Sequence, residues 1–208
     1  MTDAIHTETD SSGLSLIVSA DPDPLNPREE FDQLCTLICW HRRYKLGDSH
    51  DWHDPQEFLR EMEDRPHLKL PLYLYDHSGI TIATSPFPCP WDSGQVGWVF
   101  IDRCDFHQFG DPNDAETSAQ DRAMAAMRAE VAEYDQFISG DVWWVRVEDT
   151  EDNVLDSCCG FYGLDHAVAE GRSMLAACVS EFRRERDEAL VEQIEAERPD
   201  LTPEWHSR

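Results

Sequence analysis

Lysine is nearly absent: two residues, Lys45 and Lys69, in a chain of 208. Basic residues of both kinds number 17 against 43 acidic ones, a formal charge of −26. That balance argues against direct nucleic-acid binding, whose affinity comes from Lys and Arg neutralising phosphates. No apolar run is long enough for a transmembrane helix, so no membrane partner is expected. The first thirteen residues, MTDAIHTETDSSG, lack the basic end and apolar segment of a signal peptide. A cytoplasmic location is therefore expected. No internal repeat is visible. Disulfides are not expected either, because the seven cysteines are an odd number in a chain without a secretion signal.

What the chain does have is a full complement of core-forming residues, 40% hydrophobic with seven Trp and nine Phe. That is enough to bury a sizeable core. Residues 1–13 read as a disordered tail, 14–182 as a single α+β domain, and 183–208 as a charged helical extension and tail. Leu14 to Ala20 reads as a first strand, and DPDPLNP (21–27) as an extended loop. Glu29 to Tyr44 fits helical spacing and a buried strand equally well. Asp54-Pro55-Gln56-Glu57 reads as a helix start with Asp as N-cap and Pro at the first helical position.

The stretch from Leu70 to Asp102 organises the domain. Leu72 and Leu74 alternate with Tyr73 and Tyr75, Ser78-Gly79 interrupts, and Ile80 and Ile82 resume the period, which predicts a β-hairpin. A third strand follows from Gln95, with Val96, Trp98 and Phe100 on one face. Asp114 to Ile138 is the clearest helix, with Met124, Met127, Val131, Tyr134 and Ile138 on its apolar stripe. Asp141–Glu148 and Val154–Phe161 form a second predicted hairpin. A final helix starts at Leu164, where Gly171 allows close approach to a sheet, and its charged outer half protrudes. The expected fold is α+β: a mainly antiparallel sheet of five to six strands with two long helices and a protruding C-terminal one.

Three constellations carry chemistry. Asp76, His77, Ser78, Cys89, Asp92 and Ser93 lie at strand ends and contain the parts of a nucleophile–base–orienter set. Such a set would make a small hydrolase or transferase, with His77 acting on Cys89, Ser78 or Ser93. Turn hydrogen bonds beside Gly are the structural reading of the same residues. Cys35, Cys39 and His41, with Cys104 and His107, supply weak zinc candidates. Their spacing matches no common zinc module, so neither metal nor cofactor is expected. Finally, Glu130, Glu133, Asp135, Asp141, Glu148, Asp149, Glu151, Asp152 and Asp156 stand against one arginine, Arg146, in the same segment. Trp143 and Trp144 sit inside this acidic segment on opposite strand faces.

The chain contains the segments NPRE (26–29), CWHRRYKLGD (39–48), LPLYLYDHSGIT (70–81), CPWDSGQVGWVF (89–100), EYDQFISGDV (133–142) and DSCCGFYG (156–163). Together these six segments resemble a family of small uncharacterised acidic proteins from phage and mobile-element genomes. The resemblance implies genomic context rather than a reaction. Combined with the charge, it leads to the expectation of an acidic interaction protein. In that reading the nine carboxylates mimic DNA and inhibit a basic host protein of nucleic-acid-binding or defence type. A halophilic accessory protein is the alternative, since cytoplasms holding molar salt favour acidic, lysine-poor surfaces.

Overall fold

The computed structural model describes residues 3–65, 67–110 and 116–197. The α+β class stands, but the described strands number eight and form two four-stranded sheets rather than one sheet of five or six. The chain divides into two compact units. The central unit is Asp23–Val142, and the terminal unit combines Met1–Pro22 with Trp143–Arg208.

The central unit is built on the sheet β3-β6-β4-β5. Its strands are β3 (Thr36–Cys39), β4 (His67–Asp76), β5 (Ile80–Ala83) and β6 (Ser93–Asp102), all antiparallel to their neighbours. The ambiguous segment 29–44 resolves into a one-turn helix α1 (Pro27–Glu30) followed by β3. Leu37 packs into the cluster with α3 (Glu116–Ser139), whereas Ile38 packs with α2 (Pro55–Met62). A strand buried on both faces loses the polar half of its alternation, which is why its sequence also fits a helix.

One face carries Leu72, Leu74, Ile82, Val99 and Ile101 against Met127, Val131 and Tyr134 of α3. The other carries Ile38 and Phe100 against Phe58 and Met62 of α2, edged by Trp40, Trp52 and Trp98. Phe58 sits 5.1 Å from Trp52, edge-on, the offset geometry that aromatic quadrupoles favour. Asp54 caps α2 as expected, its side chain accepting from the Glu57 N–H at 2.8 Å. The expected start of α3 at Asp114 lies outside the described residues.

Leu72 pairs with Gly97 and Tyr73 with Gln95, so Val96 is an extra, unpaired residue on β6. This β-bulge moves Val96 to the α3 cluster, while Trp98 and Phe100 stay on the α2 side. The three were expected on one face; the bulge breaks the alternation between 96 and 98. At Gly97 a Cβ would lie 1.8 Å from the Ile38 carbonyl oxygen, so only glycine lets β3 approach here.

The terminal unit holds the sheet β1-β2-β7-β8. Its strands are β1 (Ala4–Thr9), β2 (Ser15–Ala20), β7 (Val142–Glu148) and β8 (Val154–Tyr162). The expected disordered tail thus contains a strand, whose mostly exposed, threonine-rich sequence carries no core signal. The helix α4 (Leu164–Glu197) covers Leu14, Leu16, Val18, Val145 and Val147 with Ala167, Leu175 and Val179. Gly171 does allow the close approach: a Cβ there would meet Leu16 at 2.5 Å. Beyond Val179 the helix is exposed, with Phe182, Leu190, Val191 and Ile194 open to solvent. Residues 198–208 of the expected extension lie outside the described residues. No described helix is long and apolar enough to cross a membrane.

Candidate functional site

The hairpin turn and the loop before β6 meet at one end of the central sheet. Ser78 adopts a left-handed conformation (φ 58°) and Gly79 follows at φ 155°, closing the turn between β4 and β5. The Asp76 N–H donates to the Asp92 carbonyl at 2.8 Å, holding the 89–93 loop against the turn. The Ser93 hydroxyl donates to the Cys89 carbonyl at 2.6 Å, folding the loop onto itself. Consequently His77 Nδ1 lies 3.3 Å from Asp92 Oδ2, and the Cys89 thiol donates to the same oxygen at 3.5 Å. Asp76 turns the other way, accepting from the Arg43 guanidinium and from the Tyr44 hydroxyl at 3.4 Å.

The sequence-predicted residues Asp76, His77, Cys89, Asp92 and Ser93 are therefore neighbours, with Ser78 in the turn itself. Their order differs from that of an activated nucleophile. In that arrangement the imidazole stands between nucleophile and carboxylate. Here Asp92 stands between His77 and Cys89, and no described hydrogen bond joins imidazole to thiol. The Ser93 hydroxyl is committed to a carbonyl. Trp91, beside them, is 92% exposed, the most open large apolar side chain described.

The zinc candidates do not assemble. Burial pushes the Cys35 thiol far above its ordinary range, helped by the neighbouring Glu130 charge, and pushes Cys39 up to about 12. Among the described residues, Cys35, Cys39 and His41 do not come together as a metal-ligating group. His41 spends Nδ1 on backbone N–H groups of Arg43 and Tyr44. His107 Nδ1 contacts the Cys104 carbonyl at 2.8 Å, and Cys104 groups instead with Asp102 and Asp105. Asp102 there already pairs with Arg65.

A buried ionic network went unread in the sequence. Arg28 is 2% exposed and donates to Asp48 from Nε (2.8 Å) and Nη2 (2.5 Å), and to Glu130 at 2.9 Å. It also reaches Gln33 at 3.0 Å and the Cys35 carbonyl at 2.6 Å. Burial works against its charge, but the hydrogen bonds and charges of Asp48, then Glu130, outweigh it and hold the guanidinium pKa above its ordinary value. Arg28 lies in the segment NPRE (26–29) and Asp48 in CWHRRYKLGD (39–48). EYDQFISGDV adds Tyr134, whose hydroxyl oxygen accepts from the Gly47 N–H at 2.9 Å.

The nine acidic candidates divide between the two units. In the central unit, Glu130 accepts from Arg28 and from the backbone N–H groups of Leu34 (2.7 Å) and Cys35 (3.2 Å). Asp135 accepts from the Thr81 hydroxyl (2.6 Å) and the Ile82 N–H (2.7 Å). Glu133 has a long contact to Gln33 at 3.5 Å, and Asp141 also has an interaction partner. In the terminal unit, Glu148 pairs with Arg146 at 2.9 Å. Asp149 holds the β7–β8 turn, accepting from Asn153 and from the backbone N–H of Glu151; these bonds keep its pKa below the usual carboxylate value. Glu151, Asp152 and Asp156 are exposed, without an ion pair among the described residues. Of the two tryptophans, Trp143 packs against the core and Trp144 lies under the Arg146 guanidinium, 4.2 Å from its ring centre.

Comparison with family models, with curated proteins and with solved structures finds no match to this chain.

Proposed function

We propose that the protein is an acidic, cytoplasmic interaction protein that occupies the nucleic-acid cleft of a basic partner, presenting carboxylates where phosphates would sit. The observation that carries this reading is the β7–β8 hairpin end. There Glu151, Asp152 and Asp156 are exposed on the terminal unit, with no ion pair among the described residues, while most of the other candidate carboxylates are bound internally. A chain of net charge −26 attracts a positive cleft from a distance and repels free nucleic acid. The resemblance to phage and mobile-element proteins points to a basic host protein of nucleic-acid-binding or defence type as the partner class.

The test uses E151Q/D152N/D156N, which removes three charges and spares Glu148, paired with Arg146, and Asp149, which holds the hairpin turn. Binding to candidate host DNA-binding enzymes is measured against a competing DNA duplex and across a salt series. The reading requires competition with DNA, weakening with salt, and loss of binding in the triple variant. Binding unchanged by the amides sinks it.

A second reading, a small hydrolase or transferase, draws on the 3.3 Å contact between His77 and Asp92. It needs a rotation that brings the imidazole between Asp92 and Cys89. A turnover lost in both H77A and C89A would favour it, and turnover surviving C89A would move the nucleophile to Ser78 or Ser93.

A further inference from the structure

The helix α4 outlasts the sheet that it covers. Leu175 and Val179 are its last buried residues in the core of the terminal unit. One turn on, Arg183 is exposed and makes a 3.8 Å contact with Asp10. From there to Glu197 the helix runs about 21 Å further at 1.5 Å per residue. A helical segment of that length is marginal in water unless something covers its apolar side.

At 3.6 residues per turn, Arg183, Leu190, Ile194 and Glu197 lie within about 60° of one another, in line with Val179 upstream. The stripe that packs on the sheet therefore continues past it. Leu190 and Val191 are 54% exposed and Ile194 53%, so three neighbouring aliphatic side chains of a charged helix face solvent. Asp187 flanks them on the same side. At its inner end the stripe opens on a cavity of about 350 Å³ bounded by Asp10, Val179, Ser180 and Arg183 among others.

The charges on this stretch are segregated. Arg183, Arg184 and Arg186 lie at the inner end, with Glu185 among them. Glu188, Glu192, Glu195 and Glu197 lie towards the outer end, where the last turn holds no basic residue. The helix dipole favours cations at that end, so these carboxylates gain from a cation brought by another chain. Arg184 is occupied by Glu181 and Glu188 of its own helix. Glu197 accepts from Gln193 at 2.9 Å and has no ion pair among the described residues. Arg183 and Glu197 each stand seven residues from Leu190, so the stripe is complementary to itself read backwards.

We propose that the outer half of α4 binds a second copy of this chain as an antiparallel helix pair, with the two-fold axis at Leu190. The aliphatic stripes then face each other, and each Arg183 comes level with the second copy's Glu197. Asp187 comes level with Gln193, whose amide is a donor. A parallel pair would instead set Arg183 on Arg183 and Glu197 on Glu197. A basic partner of another kind would gain from the glutamates but would meet the three arginines as well. The contact is one helix wide, so the dimer is weak and reversible.

The experiment is sedimentation equilibrium of the full chain from micromolar to millimolar concentration, with reductant present so that exposed thiols do not cross-link. A reversible monomer–dimer equilibrium is expected. L190Q/I194Q, at two exposed positions, should weaken it at least tenfold with the circular dichroism unchanged. E197R should also weaken it at least tenfold, by setting like charges against each other, and R183E should do the same. The double variant R183E/E197R should restore the dimer, because each pair is then reversed rather than lost. A chain that stays monomeric overturns the proposal and leaves the stripe to a different partner. A dimer unmoved by L190Q/I194Q, or a double variant no better than the single ones, overturns it too. These variants leave Glu151, Asp152 and Asp156 in place, so this proposal and the proposed function fail separately.

Discussion

The two units differ in how they use particular carboxylates. In the central unit Asp48 and Glu130 surround a buried guanidinium, and Asp135 anchors the start of β5 through Thr81 and Ile82. In the terminal unit Glu151, Asp152 and Asp156 stand in solvent, and the pairs that exist, such as Arg172 with Glu8 at 2.5 Å, are largely exposed. One composition statistic therefore covers two kinds of chemistry. Glu130 and Asp135 in the central unit are architecture, and Glu151, Asp152 and Asp156 at the hairpin of the terminal unit are available for contact.

The sharpest way to break this contrast is to remove the guanidinium. Arg28→Ala leaves Asp48 and Glu130 facing each other without a cation, and losing one partner of a buried pair costs about 3–5 kcal/mol. Urea unfolding should show the central unit destabilised by that amount, whereas Arg172→Ala should leave the midpoint nearly unchanged. Equal effects would mean that burial does not separate the two networks.

A smaller effect is expected at Asp135. Asp135→Ala removes the acceptor for the Ile82 N–H and the Thr81 hydroxyl, a loss of about 1–3 kcal/mol for groups left unsatisfied. The matched substitution Asp156→Ala, on an exposed strand, should not move the urea midpoint.

The thiols test the same division by rate. At mildly alkaline pH a thiol reagent should modify exposed Cys104, Cys158 and Cys159 within its mixing phase. Cys35, buried, and Cys39, held at about 12, should react only as the fold opens. Fast labelling of either would show that the central core is not closed.

The smallest effect is on pH. Hydrogen bonds from Arg172, then His6, lower the Glu8 carboxyl from 4.5 to about 2. A depressed folded-state pKa means that the contact is fully in place above about 4.5 and is lost as pH falls through about 2. A carboxyl-carbon titration by NMR reads this directly, and a Glu8 midpoint near 4.5 would remove the contact between β1 and α4.

Local chemistry was legible and distant chemistry was not. The Asp54 cap, the turn at Ser78-Gly79 and the second hairpin all rest on residues close in sequence, where turn and cap preferences act directly. The meeting of His77 with Asp92 was legible for the same reason, since one hairpin and one loop bring them together. The Arg28–Glu130 pair joins residues on α1 and α3, and no local pattern encodes it. The second sheet was hidden similarly, because β2 finds its partner in β7. The bulge at Val96 could not be read from alternation because it is a break in alternation.

The pairing of β2 with β7 carries a consequence for synthesis. Ala20 lies opposite Trp143 and Ser15 opposite Glu148, so the terminal unit is assembled from both ends of the chain around an inserted one. As the polypeptide leaves the ribosome, β2 emerges early and must wait for β7, while the central unit can complete its own sheet in the interval. Once formed, that unit replaces a long flexible loop with a fixed body, reducing the entropy still to be lost when β2 and β7 close. Until then, the apolar side chains of Leu16 and Val18 have no helix to cover them. A nascent chain arrested before β7 would expose this strand to chaperones or to other nascent chains.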